Sequence, residues 1–197
     1  MEEIHLAERG AAREAALHLD GALVTLSEFT TEHLTDPRYR TWLRDLDVVR
    51  GIYRLEYLKP LPAGELERYV EGLLASDQDC FFAMHAREGG EFIGTVRLGH
   101  IDWRTGIADI GILIGSAEHR GRGFSADAVR TVSRYAFKDL SLRKLTGGTP
   151  ATNTAMRRCF ERVGFREEGV LRNQLLIGGE FVDHVLYGAF RDDVADG

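Results

Sequence analysis

The stretch "EHRGRGFSADAV", residues 118–129, narrows the fold of this chain more than any other. Gly121 and Gly123 flank Arg122 there, after a strand-like run and directly before a helical pattern. Glycine reaches positive φ easily and, lacking a Cβ, lets another group come close to the backbone. Amide N–H groups in a helix's first turn have no intrahelical partners and carry partial positive charge. A glycine turn at a helix start can therefore hold a phosphate with backbone alone. The same turn can be purely structural, so the rest of the chain has to decide.

The run before the turn is "IADIGILIG" (107–115), and the pattern after it repeats apolar residues at Val129, Val132, Ala136 and Leu140. "KLTGGT" then reads as a short buried strand. In "NTAMRRCFERVGF" apolar Ala155, Met156, Cys159, Phe160 and Val163 recur at helical spacing, with Gly164 as the stop. "EFVDHVLYGAF" reads as a last strand. Upstream, "GALVTLSEF" (21–29) predicts a first strand, "RYRTWLRDLDVVRGI" (38–52) a helix, and two prolines in "YLKPLPAG" end it. "ELERYVEGLLAS" places Leu66, Val70, Leu73 and Leu74 on one helical face. "CFFAMHA" and "EFIGTVRLGHI" form a hairpin through "REGG", and a second hairpin turns at "DWRTG". Helices first, a strand meander, then β-α-β-α-β: this is mixed α and β around one sheet. We expect residues 1–20 to be a lead-in, helical or disordered, 21–192 to be one domain, and 193–197 to be a tail.

A chain of 197 residues buries one full core but is short for two. No apolar run approaches the roughly 20 residues of a membrane span. The opening "MEEIHLAERG" lacks a signal peptide's basic start, which predicts a cytoplasmic protein. Two cysteines are too few for a disulfide framework, and the seven histidines show no metal-ligand spacing. No metal is expected. The net charge of −6 hides a basic stretch, since residues 119–162 hold ten Lys and Arg against three acids. That pattern suits a local anionic ligand rather than a long nucleic acid, and the acidic remainder suits a cationic substrate.

A Walker loop is absent. Although a dinucleotide fingerprint tolerates an alanine such as Ala126 in place of its third glycine, the strand–turn–helix falls late, after a hairpin meander, with no acid closing a second strand. "ADIGILIGSAEHRGRGFSADAVRTVSRYAF", "NTAMRRCFERVGFREEGVLR" and "FVDHVLYGAF" together resemble the GNAT superfamily of acetyl-CoA-dependent N-acetyltransferases, most of all its RimJ/RimL-type branch. The likeness covers about residues 22–191. It implies an α/β (mixed α+β) GNAT fold with one mixed central sheet of about six or seven strands flanked by helices. It implies acetyl-CoA as co-substrate, its pyrophosphate held by amides from Arg120 through Gly121, Arg122, Gly123, Phe124 and Ser125. The strand Ile112, Leu113, Ile114 and Gly115 would pair with the pantetheine arm, Asn153 would contact the cofactor, and Arg157 or Arg158 would reach the adenosine phosphates. Glu118 departs from the family pattern, which has Gln or Arg at that place.

Acetyl transfer to an amine needs a base for the ammonium proton and a donor for the oxyanion. The resemblance places the donor in a bulged strand around Leu113 or Ile114 and an acid at Asp109. Asp183 and His184 follow as second candidates for the base, and His100 and Glu118 as third. The family's Tyr or Ser general acid is replaced here by Phe160 and Met156. An acyl-cysteine route through Cys159 is disfavoured by its place on the apolar face. Trp42, Tyr53 and Tyr57 are candidate substrate contacts. The expected partner is a small-molecule amine such as an amino sugar, with a second copy of the chain as a homodimer partner; no nucleic acid or membrane is expected. The alternatives are an N-terminal acetyltransferase acting on proteins and an acyl-CoA-binding protein without chemistry.

Overall fold

The computed structural model describes residues 17–53, 62 and 64–194. A single sheet of eight strands runs in the order β1-β2-β3-β4-β5-β6-β8-β7. Its strands are β1 (His18–Asp20), β2 (Val24–Glu28), β3 (Cys80–Ala86), β4 (Phe92–Asp102), β5 (Ile107–Ile114), β6 (Lys144–Pro150), β7 (Arg166–Ile177) and β8 (Glu180–Phe190). The helices are α1 (Thr31–Thr35), α2 (Pro37–Trp42), α3 (Leu46–Gly51), α4 (Glu65–Ala75), α5 (Phe124–Lys138) and α6 (Thr154–Val163). Among the described residues no helix is long and apolar enough to cross a membrane.

Two cores follow from the period-2 alternation of the strands. On one face α1–α4 bury Leu34, Tyr39, Trp42, Val48, Leu66 and Val70 against Phe29, Phe92 and Leu113. On the other, α5 and α6 bury Val129, Val132, Phe137, Phe160 and Val163 against Leu98, Ile110, Leu145 and Tyr187. Each large apolar side chain so buried contributes about 1.5–3 kcal/mol.

Three expectations shift. The sheet has one strand more than the expected maximum, because β1 forms inside the expected lead-in; residues 1–16 lie outside the described ones. β1 exists because Leu19 and its neighbours pair with Thr25–Ser27 across a tight turn, a contact that local composition does not announce. The helix expected over 38–52 is two helices, since Asp45 caps the Asp47 amide (2.9 Å) and starts α3 afresh. The β4–β5 irregularity lies at Gly99–Asp102, whereas Leu113 and Ile114 sit in regular register with Thr95 and Gly94.

The feature that matters most for function is a seam. β5 and β6 are parallel and pair only at Ile107–Asp109 against Lys144–Thr146. Beyond that, β5 continues with β4 alone and β6 with β8 alone. The two strands diverge, and the sheet opens into a cleft of about 1190 Å³ that runs from one face to the other.

Candidate active site

The glycine turn borders the cleft on the α5 side. A short 3-10 turn (Ala117–His119) leads into Gly121 at φ +73° and Gly123 at φ +94°, both in the left-handed region that favours glycine. A Cβ at Gly121 would meet nothing within 4 Å, so packing does not demand glycine there and open space lies above it. Among the described residues, the N–H groups from Gly121 to Ala126 donate to no protein acceptor. They line a concave turn at the start of a helix, with Gly121, Gly123, Ser125 and Ala126 on the cleft. Unpaired amides, room for a ligand and the helix's positive end fit a pyrophosphate. The turn is held from below by Asp127, whose buried carboxylate accepts the amides of Ala22 (3.1 Å), Leu23 (2.7 Å) and Val24 (3.0 Å). Sequence reading gave Asp127 no role, because an acid in a helix's first turn normally reads as solvated.

β5 offers backbone to the same cleft. The Gly115 N–H donates to Ile93 O (2.9 Å), and antiparallel alternation then turns the backbones of Leu113, Gly111 and Asp109 toward β4. Those of Ile110, Ile112 and Ile114 face the opening, and the Ile114 carbonyl accordingly accepts from Arg120 Nε (3.2 Å). Of Leu113 and Ile114, the expected oxyanion donors, Leu113 directs its amide to β4, while Ile114, like Ile112, turns its amide to the cleft. Gly115 is fixed by packing: a Cβ there would collide with the Trp42 ring. Trp42, 7% exposed and 5.0 Å from Phe92, is therefore core rather than substrate wall.

On the α1–α4 side, Asp109 borders the cleft beside Thr146, whose Oγ1 lies 3.2 Å from Asp109 Oδ1. Burial pushes the Asp109 carboxyl above its ordinary value, opposed by Thr146, His100 and Arg97. His184 stands over Gly148 on the same side, and desolvation lowers its pKa, which keeps the ring neutral near pH 7. Asp183 does not join them. Its carboxylate accepts the Asn173 amide (2.8 Å) at an irregularity of β7, where Asn173 has φ +51°. Tyr53 borders the cleft, and its hydroxyl accepts the Leu176 amide (3.1 Å). Tyr57 lies outside the described residues.

The basic residues sort differently from expectation. Arg158 and Arg162 line the cleft, and Arg162 was missed for want of any motif around it. Arg157 turns to Tyr187 Oη (3.3 Å) and toward Glu167. Arg122 folds back onto the Glu118 carbonyl (3.3 Å). Arg120 binds Asp45 (3.0 Å) and the Gly115 carbonyl (2.8 Å). Asn153 caps α6 through the Met156 amide (3.1 Å) and donates Nδ2 to Gly51 O (3.2 Å). Cys159 is buried and its thiol is pushed up to about 12, which removes the thiolate a covalent route would need. Phe160 packs over Gly147, and neither it nor Met156 can donate a proton.

A sheet opened between parallel strands, with an amide-lined turn on one side and a half-buried carboxylate on the other, defines a two-faced site for group transfer. A long phosphate-bearing donor fits one face and an acceptor the other. The chain matches the acetyltransferase (GNAT) domain over residues 24–166, most of its length, and it belongs to the GNAT acetyltransferase family. It is an acetyl-CoA-dependent N-acetyltransferase, with acetyl-CoA as co-substrate. Probable N-acetyltransferase YjcK of Bacillus subtilis is 32% identical over 121 residues, 61% of this chain and 66% of the relative. Aminoglycoside N(6')-acetyltransferase type 1 of Klebsiella pneumoniae is 28% identical over 151 residues, 72% of this chain and 73% of the relative. Among solved structures, spermidine N-acetyltransferase from Vibrio cholerae in complex with CoA and spermine superposes with a TM-score of 0.77 at 21% identity, covering 87% of this chain and 98% of that one. Among the described residues no group of three or more His, Cys, Asp or Glu could hold a metal.

Proposed function

We propose that this acetyltransferase acts on the primary amine of a small molecule, an amino sugar or a polyamine, by direct attack with both substrates bound. The observation that carries the reading is Asp109, a desolvated carboxylate on the acceptor side of the opening, within reach of a group lying between β5 and β6. An amine is a cation at neutral pH and must lose a proton before it can attack. A carboxylate whose pKa is raised toward the working pH takes that proton more readily, directly or through one water. Asp47 also borders the cleft and favours a cationic acceptor, whereas Glu168 there is already paired with Lys144 at 2.7 Å. The similarity to aminoglycoside and spermidine acetyltransferases supports the same class of substrate.

Acetyl-CoA, when bound, supplies the acetyl thioester, and its thiol is a tolerable leaving group without a strong acid. The chain's residues do the rest. Amides of Gly121 to Ser125 bind phosphate, Ile112 and Ile114 orient the arm, and one of their N–H groups donates to the carbonyl oxygen. Asp109 receives the proton, and Thr146 holds its carboxylate in place. The test is Asp109→Asn with free-thiol release followed over a panel of amino sugars, polyamines and peptides. We expect kcat to fall about 100-fold or more with acetyl-CoA affinity unchanged, in the range typical of a lost general base. Undiminished turnover across pH would remove Asp109 from the mechanism, and peptides outcompeting the small amines would replace the substrate class.

A further inference from the structure

Helix α3 is tied at both ends to the two elements that frame the cofactor side of the cleft. At its start, Asp45 accepts the Asp47 amide with Oδ1 (2.9 Å) and Arg120 Nη2 with Oδ2 (3.0 Å). Arg120 is anchored in turn on the carbonyls of Ile114 (3.2 Å) and Gly115 (2.8 Å), one residue before the glycine turn. At the helix end, the Gly51 carbonyl accepts Asn153 Nδ2 (3.2 Å), while Asn153 Oδ1 caps α6. Two side chains from the cofactor elements thus cross the opening and grip one short helix. That helix supplies Asp47, Val48 and Gly51 to the acceptor side of the cleft. A helix of six residues does not persist by itself, so its order depends on Val48 and Val49 in the core and on these two grips.

We infer that Asp45 is a positioning residue that transmits cofactor occupancy to the acceptor wall. The inference rests on the proposed two-faced site. A ligand on the amides of Gly121 to Ser125 fixes the turn, the turn fixes Arg120, and Arg120 fixes the start of α3 through Asp45. Asn153 does the same at the other end. By linkage, an acceptor resting on α3 tightens the cofactor site by the same factor. Arg120 is already held by a carboxylate and two carbonyls, so the phosphates are left to the backbone amides and to Arg158 and Arg162. In the opposing arrangement a phosphate would pull Arg120 off Asp45 and α3 would loosen on binding.

The experiment is amide hydrogen exchange of α3 with and without coenzyme A, for the wild type, Asp45→Asn and Asn153→Ser. Both replacements keep an N-cap acceptor, since Asn and Ser cap helices about as well as the residues they replace. Each loses its grip: the neutral amide of the Asp45→Asn variant offers Arg120 no charge, and the serine of Asn153→Ser is too short to reach Gly51. Calorimetric titration with coenzyme A and exchange of the β3–β4 amides are read alongside, so that a misfolded variant is recognised. In the wild type, coenzyme A should slow exchange of the Val49 and Ile52 amides, which donate to Asp45 O (3.0 Å) and Val48 O (3.1 Å). The slowing should be about fivefold or more, the lower end of typical site-to-site coupling. Asp45→Asn should still bind coenzyme A yet lose that slowing, and Asn153→Ser should lose it most at Ile52. Faster or unchanged α3 exchange in the wild type, or full slowing in Asp45→Asn, overturns the inference. No binding of coenzyme A by the wild type would instead sink the cofactor site itself, and the inference with it.

Discussion

Replacing Asp127 by Ala should cost the protein about 3–5 kcal/mol of stability. The carboxylate is 5% exposed and accepts three backbone amides, from Ala22, Leu23 and Val24, at 2.7–3.1 Å. A hydrogen bond to a charged group contributes about 1.5–3 kcal/mol, and an abandoned buried donor costs about 1–3 kcal/mol. Three bonds do not add in full, because the amides of Ala22 and Leu23 are only partly buried and regain water. The sum therefore settles near the upper range seen for single substitutions. Asp127→Asn keeps one carbonyl oxygen toward the turn but points an NH2 at an N–H, and should lose about half as much. Urea denaturation at pH 7 measures both, and the midpoint should fall with the slope unchanged. A loss below about 1 kcal/mol for Asp127→Ala would mean that water satisfies the three amides and that α5 is not anchored here.

Other outcomes follow from the same geometry. Gly121→Ala has room for its methyl but must hold φ near +73°, so it should fold with a loss of about 1–2 kcal/mol. Its affinity for coenzyme A by calorimetry should nonetheless fall by about tenfold or more, since the methyl stands where the phosphate must approach; unchanged affinity would make the turn merely structural. Asp109→Asn should be more stable than the wild type near pH 7. The native carboxyl holds its proton above its ordinary value, so the wild type loses stability as pH rises through that interval; paired urea titrations at pH 4 and pH 7 read the difference. His33 carries the opposite sign. Its pKa is lowered by burial first and by His85 second, so folding favours the neutral ring, and stability should be lost as pH falls below about 6.5. Thr30 N–H lies 3.0 Å from His33 Nδ1, and His33 Nε2 lies 3.3 Å from His85 Nε2, so a proton added to either ring breaks one of these contacts. His33→Asn should flatten that acid slope.

What the sequence made legible was whatever is local. The two hairpins, α4, α5, α6 and the glycine turn each carry their pattern within one contiguous stretch of the chain, and all are present. What it hid depends on contacts far apart in the chain. Arg120 and Asn153 read as cofactor ligands, yet their partners Asp45 and Gly51 lie 75 and 102 residues away. Asp127 answers to Ala22, Leu23 and Val24, more than a hundred residues earlier. Trp42 read as a pocket aromatic because nothing in its own helix tells that Gly115 leaves it a flat surface to pack on. Leu113 failed for a subtler reason: one residue along a strand reverses which side its amide faces, and the position of the pairing irregularity cannot be read without the partner strand.

The seam has a mechanical consequence. Three residue pairs between β5 and β6 join a five-stranded half-sheet to a three-stranded one, with α5 as the connecting arm. Such a joint is a zip left mostly undone: shear across the molecule concentrates on Ile107–Asp109 and Lys144–Thr146, whose amides should exchange before those of either half. On the proposed function, a ligand arm laid between the strands would supply the missing rungs. On that reading each turnover would begin by bracing the molecule and end by unbracing it.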